Sequence, residues 1–242
     1  MIRTILIALT LFLYLVLLLP VLGIEWIYHK INPEKADYQQ LRMVQAAFRL
    51  MLKMTGARIQ VIGEENVPKD RAVLYVGNHK SYFDILLTYS RVPRLTGYVA
   101  KKEMESFPIL SIWMKRLHCL FLDRKDIKQG LKTILTGIDL IKNGISVCIF
   151  PEGTRNKSNG RLLPFKEGSL KMAEKTGCPI IPFAITNSSK LFEDHMPFVR
   201  PCDIIIEYGK PIYPAELPKE EKKFLGAYCR KQIEDMLIAH EA

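Results

Sequence analysis

Along the 242-residue chain the spacing of apolar and polar positions changes several times, and each change marks a candidate element. From Ile5 to Ile24 the sequence is apolar apart from Thr10, Pro20 and Gly23. At about 1.5 Å per residue that run reaches roughly 30 Å, enough to cross the hydrocarbon core of a bilayer. The alternative is a cleaved secretory signal, because Arg3 precedes the run and Val21-Leu22-Gly23 ends it. Its length exceeds an ordinary signal core, and the downstream thiols do not resemble a secreted set, so retention is expected. Glu25 to Lys35 reads as a polar connection. From Tyr38 to Thr55, Leu41, Val44, Phe48 and Met51 or Leu52 recur at helical spacing opposite Arg42, Gln45, Arg49 and Lys53. This pattern predicts a basic amphipathic helix that lies in a membrane interface or packs on the protein's own core. The two stretches are expected to form a membrane-binding helix pair over residues 1–56, either one span plus a surface helix or a hairpin dipping into one leaflet. Charge on both flanks leaves the orientation open.

Beyond Gly56 strand-like and helix-like runs alternate through residues 57–242. Candidate strands are Arg58–Ile62, Ala72–Val76, Gly97–Lys101, Cys119–Leu122, Ile145–Phe150, Ile180–Thr186 and Asp203–Tyr208. Helical patterns fall at Asp84–Arg91, Pro108–Leu117, Ile127–Asn143, Lys166–Lys175 and Lys219–Ala239. The alternation predicts an α/β domain, a largely parallel sheet covered on both faces by helices. In such sheets ligands bind beyond the carboxyl ends of the strands.

Charge narrows the partners. A formal net charge of +10 favours anionic ones. Nucleic acid is not expected, because the basic residues are scattered and neither zinc spacing nor an aromatic RNA-binding signature occurs. Lipid phosphate fits better. The five cysteines, Cys119, Cys148, Cys178, Cys202 and Cys229, are odd in number and lack Cys-x-x-Cys spacing, which points to free thiols facing a reducing compartment. No cluster has metal-ligand spacing, so no metal is expected, and His29, His118, His195 and His240 read as structural or surface residues.

The strongest chemical signal is Asn78-His79-Lys80-Ser81-Tyr82-Phe83-Asp84, at the turn between a candidate strand and a helix. A turn that folds back over one helical turn brings the Asp84 carboxylate to one imidazole nitrogen and leaves the other free to take a proton. Such a pair is also frequent by chance, as a loop histidine near a helix-start aspartate. Three further segments accompany it: Leu120-Phe121-Leu122-Asp123-Arg124, Phe150-Pro151-Glu152-Gly153-Thr154-Arg155, and the strand around Pro182. In this order, from about Arg58 to Ile212, the segments resemble the glycerolipid acyltransferase family, and most closely its 1-acylglycerol-3-phosphate acyltransferases. Ala100-Lys101-Lys102-Glu103-Met104 is similar to a fifth segment, with Met where the family has Leu, a volume-conserving change.

The resemblance implies a mixed sheet of about seven strands. It implies transfer of an acyl group from acyl-CoA or an acyl carrier protein, as co-substrate, to lysophosphatidate, with no bound cofactor. His79 would be the base and Asp84 its partner. Ser81 reads as a helix cap, and no Gly-x-Ser-x-Gly elbow is present, so direct transfer without an acyl-enzyme is expected. The acceptor would be held by Arg155, whose planar fork matches a phosphate, with Arg124 and Lys101 adding charge. Glu152 would hydrogen-bond a glycerol hydroxyl or hold an arginine, and Gly153 would let backbone amides, with Thr154 beside it, approach the phosphate or the oxyanion. Arg124 could equally pair with Asp123 or Asp126, and Lys101 could be a solvated strand-end lysine. Asn156 to Arg161 reads as a mobile loop beside the site or a simple turn. The alternatives are an acyltransferase for glycerol-3-phosphate or another lysophospholipid, and a catalytically silent lipid-binding module. The expected location is a membrane, with the active site on its cytoplasmic face.

Overall fold

All seven predicted strands form. They are β1 (Arg58–Ile62), β2 (Leu74–Gly77), β3 (Thr96–Lys101), β4 (Leu120–Leu122), β5 (Ser146–Ile149), β6 (Ile180–Thr186) and β7 (Asp203–Tyr208). The structure is a computed structural model that describes residues 1–158 and 162–240. The strands make one sheet in the order β1-β7-β6-β2-β5-β3-β4. Every neighbouring pair is parallel except β6 with β7. β2 and β5 lie in the sheet interior and are buried at every position, which is why they read as continuous apolar runs rather than alternating ones.

Nine α-helices are present among the described residues: α1 (Ile2–Leu17), α2 (Leu19–Ile31), α3 (Pro33–Thr55), α4 (Phe83–Tyr89), α5 (Pro108–Arg116), α6 (Ile127–Lys142), α7 (Lys171–Thr176), α8 (Lys219–Lys223) and α9 (Leu225–Ala239). Two helical patterns read as continuous are interrupted. A 3-10 turn at Glu167–Leu170 precedes α7, and Phe224 separates α8 from α9. Two apolar clusters flank the sheet. One joins α1 to α5 with Tyr75, Tyr98, Cys148, Phe183 and Ile206, and the other joins α6, α7 and α9 with Leu74, Val76, Val147 and Ile180. Successive residues of β2 thus feed opposite clusters, as a pleated strand requires.

The N-terminal segment differs from its sequence pattern in two ways and, for α3, takes one of the two readings that the pattern left open. Glu25 to Lys35 is not a connection: α2 continues to Ile31, and Asn32 caps α3 by accepting from the Lys35 N–H at 3.2 Å, with Pro33 in the first helical position. The apolar run from Ile5 to Ile24 is divided at Leu18, where α1 and α2 bend by 47°, and no single helix among the described residues is long and apolar enough to cross a membrane. Finally, α3 is a core helix. Leu41, Val44, Met51 and Leu52 are buried, and Gln45 reaches across to donate to the carbonyls of Tyr89 (3.2 Å) and Val92 (2.8 Å) while Arg49 folds back onto it. Large apolar side chains are exposed on α1 and α2, through Ile5, Leu9, Phe12, Trp26, Ile27 and Ile31, and also on α6, through Ile127, Leu131 and Leu135. Of the loop expected at Asn156 to Arg161, residues 159–161 lie outside the described residues.

The thiols behave as small hydrophobes. Cys148, Cys178 and Cys229 are buried, and burial pushes the thiols of Cys119 up to about 11 and Cys229 up to about 12. Both therefore stay protonated at neutral pH. Cys229 should resist alkylation in the folded enzyme and react on denaturation, as read by mass shift. A chain starting after Thr55 should show no cooperative thermal transition, because it lacks the core side chains of α3; a transition near that of the full chain would show α3 to be dispensable.

Candidate active site

The site is built where β2 leaves the sheet. Gly77 ends that strand against Phe183, and a Cβ there would lie 2.2 Å from the Phe183 ring, so only glycine fits. Asn78 is fully buried. Its Oδ1 accepts from the Ile185 N–H (2.8 Å) and its Nδ2 donates to the Ile185 carbonyl (2.9 Å), so the side chain continues the pairing with β6 after the backbone has turned away. His79 is thereby turned out at the carboxyl end of β2. Its N–H donates to Glu152 Oε1 (3.1 Å), its carbonyl accepts from the Asn156 N–H (2.7 Å), and its ring stacks on Phe150 at 4.3 Å and 19°.

Asp84, in the first turn of α4, completes the pair. Its Oδ2 accepts from His79 Nδ1 and from the N–H groups of Lys80 and Ser81, each at 2.8 Å. A carboxylate can only accept, so the hydrogen is assigned to Nδ1 and the lone pair of Nε2 is left for a substrate. The Asp84 side chain is fully buried, whereas that of His79 keeps 18% of its surface exposed. This is the geometry of an oriented general base. Ser81 is fully buried, and its Oγ accepts from the Phe83 N–H at 3.0 Å, which gives the hydroxyl a structural role two residues along rather than as the residue immediately before the helix.

The segment after β5 divides its labour differently from the sequence reading. Glu152 is buried, and besides His79 its carboxylate accepts from Asn156 Nδ2 (2.8 Å) and the Leu163 N–H (2.9 Å). It ties the loop after β5 to the turn after β2. Gly153 adopts φ +73°, as the turn demands, but its N–H donates to the Phe150 carbonyl at 3.0 Å and is not available to an oxyanion or phosphate. Thr154 is exposed. Arg155 lies face-on over Tyr82, 3.6 Å from the ring centroid, with Nη2 donating to Tyr82 Oη (2.9 Å) and Nη1 to Glu193 Oε1 (3.4 Å).

The remaining two cations stand farther along the rim. Lys101, at the end of β3, is more than half exposed and pairs with Glu103 at 2.7 Å. Arg124 follows β4 and forms no ion pair among the described residues: Asp123 is taken by Lys102 (3.0 Å), and Asp126 caps α6. Partial burial lowers the pKa of its guanidinium, with the charge of Glu103 acting the other way. Because β2, β5, β3 and β4 are consecutive parallel neighbours, His79, Arg155, Lys101 and Arg124 all follow carboxyl ends on one rim. Counted in strands, β5, which leads to Arg155, neighbours β2, whereas β4, which leads to Arg124, lies three strands away, roughly 14 Å at about 4.8 Å per strand. On the α3 face a cavity of about 440 Å³ is lined by Tyr75, Tyr98, Phe183 and Tyr208 together with the charged Glu64, Glu65, Lys69 and Arg91.

Sequence reasoning missed Asn78 as a strand extender, Phe150 as the imidazole's platform, and Tyr82 and Glu193 as partners of Arg155. The first three lie inside segments already singled out. Glu193 carried no signal, because it reaches the site only through the connection from β6 to β7.

The acyltransferase family model matches residues 58–186. A 1-acyl-sn-glycerol-3-phosphate acyltransferase of Borreliella burgdorferi is 31% identical over 79% of this chain and 76% of its own length. One of Saccharomyces cerevisiae is 32% identical over 78% of this chain and 63% of its own length. The crystal structure of the LPA acyltransferase PlsC from Thermotoga maritima superposes with a TM-score of 0.84 at 26% identity, covering 100% of this chain and 95% of that one. The His79–Asp84 pair therefore stands on a fold shared with that enzyme, and the chain belongs to the acyltransferase family.

Proposed function

We propose that the protein transfers a fatty acyl group from a thioester donor to the sn-2 hydroxyl of 1-acyl-sn-glycerol-3-phosphate, giving phosphatidate for phospholipid synthesis. The observation that carries this reading is the Nε2 of His79, without a partner among the described residues and oriented through Nδ1 by Asp84, with Arg155 on the loop after the neighbouring strand β5. Nε2 takes the hydroxyl proton as the oxygen attacks the thioester carbonyl, and the Asp84 carboxylate stabilises the imidazolium that forms. Collapse of the tetrahedral intermediate breaks the carbon–sulfur bond. The thiolate of coenzyme A or of a carrier's pantetheine leaves and is reprotonated by the imidazolium; with a thiol pKa near ~8.5 it needs no second acid. No acyl-enzyme is required, in keeping with the engaged hydroxyl of Ser81.

Arg155 is assigned the acceptor phosphate. Two of its five N–H groups are used by Tyr82 and Glu193, which leaves three for a bidentate grip. Arg124 and Lys101 raise the positive potential along the rim, where the anionic groups of acceptor and donor both approach. Glu152, Gly153 and Thr154 shape the loop that carries Arg155. The exposed apolar faces of α1 and α2 lie on the membrane and hold the rim to its lipid acceptor, on the cytoplasmic side that suits five free thiols.

His79→Ala should lower kcat by roughly 10²- to 10⁴-fold while circular dichroism and vesicle binding stay unchanged, with Asp84→Asn nearly as severe; near-normal turnover in the alanine variant would remove the base from the mechanism. Because a guanidinium grips bidentately and an ammonium does not, Arg155→Lys should cost about ten- to a hundredfold in kcat/KM for lysophosphatidate, with the KM for the donor unaltered. A loss confined to the donor would reassign Arg155. The same assay run over glycerol-3-phosphate, lysophosphatidate and lysophosphatidylcholine with each donor tests the choice of substrate. Replacing Ile5, Leu9 and Phe12 with serine should impair action on long-chain lysophosphatidate more than on a short, water-soluble analogue. Equal losses on both would point to a folding role for α1.

A further inference from the structure

The connection between β6 and β7 sends one carboxylate into the rim. Glu193 opens a 3-10 turn, Glu193–His195, whose preceding residue Phe192 packs edge-on against Phe83 at the start of α4. Its Oε1 accepts from the Tyr82 N–H at 2.7 Å, within the turn that joins His79 to Asp84, and from Arg155 Nη1 at 3.4 Å. The side chain is only 14% exposed, and its Oε2 is buried without a hydrogen-bond partner among the described residues. Tyr82 closes the ring by carrying the Arg155 guanidinium on its face and bonding Nη2 through its hydroxyl. Glu193 is therefore joined to the catalytic turn through a neutral backbone donor and to Arg155 through charge.

These two links have different consequences. Acceptor and product carry the same phosphate, so any grip by Arg155 holds both alike, and a stronger grip lowers KM while slowing product departure. A carboxylate beside the guanidinium reduces the positive potential that the phosphate meets. We infer that Glu193 is a positioning residue that acts in two ways. It anchors the catalytic turn through Tyr82, and as the counter-charge of Arg155 it moderates the hold on the phosphate so that phosphatidate can leave. This rests on the assignment of Arg155 to the acceptor phosphate. The balance it sets is between capture and release.

The two roles separate by substitution. Glu193→Gln keeps an acceptor oxygen for the Tyr82 N–H and removes the charge. It should lower the KM for lysophosphatidate and the inhibition constant of phosphatidate together, each about three- to tenfold, as expected for a partly exposed ion pair. Glu193→Ala also removes the anchor of the turn and should lower kcat toward every acceptor, monoacylglycerol included. In an Arg155→Met background, Glu193→Gln should leave both constants where the single variant puts them. A Glu193→Gln enzyme with raised KM, with unchanged constants, or with an effect that persists in the Arg155→Met background would overturn the counter-charge role. Arg155→Met alone tests the underlying assignment separately, since a defect there confined to the donor removes Arg155 from the acceptor site whatever Glu193 does.

Discussion

One carboxylate oxygen, Asp84 Oδ2, holds the turn between β2 and α4 in shape. It accepts from two consecutive backbone N–H groups and from the imidazole, so the turn cannot relax without losing the orientation of the His79 ring. Hydrogen bonds to a charged group contribute roughly 1.5–3 kcal/mol each, and here all three converge on a side chain with no contact with water. The tautomer that leaves Nε2 free is thus set by the same contacts that close the turn. Fold and chemistry share their anchor.

A second buried carboxylate does comparable work from the other side. Glu152 receives the His79 N–H, the Asn156 amide and the Leu163 N–H, and so fixes the loop after β5 to the turn after β2. Parallel pairing of β2 with β5 brings the two loops out side by side. Arg155 then reaches across to Tyr82, inside the catalytic turn, and Phe150 lies beneath the imidazole. The two most distinctive segments of the sequence are therefore one structural unit, with Glu152 in its frame.

The N-terminal helices attach to this domain through α3, whose apolar face is buried while Arg42, Arg49 and Lys53 stay exposed. Gln45 satisfies two carbonyls at the end of α4 and in the turn that follows it, a contact that only a core helix makes. α1 and α2 pack on α3, which leaves their apolar outer faces without protein cover. An exposed apolar surface of this extent on a chain that handles lipid fits contact with a bilayer.

Periodicity alone located all seven strands, because buried parallel strands demand continuous apolar runs and the turns between them carry the polar residues. The base pair was legible too, since five positions spanning a turn and the first helical residues suffice to bring a carboxylate to an imidazole. Local pattern could not say what an amphipathic face meets, so a membrane interface and the protein's own core stayed equally open for α3; the fold buries Leu41, Val44 and Gln45 in the core while Arg42, Arg49 and Lys53 remain exposed. It could not assign Glu152 or Gly153 either, because a carboxylate or an amide is available to a ligand only if no nearer group has claimed it. Glu193 lay beyond sequence reading altogether. Its place beside Arg155 depends on the path of the chain between β6 and β7, which brings together side chains from three separate loops and leaves no spacing in the sequence to mark it.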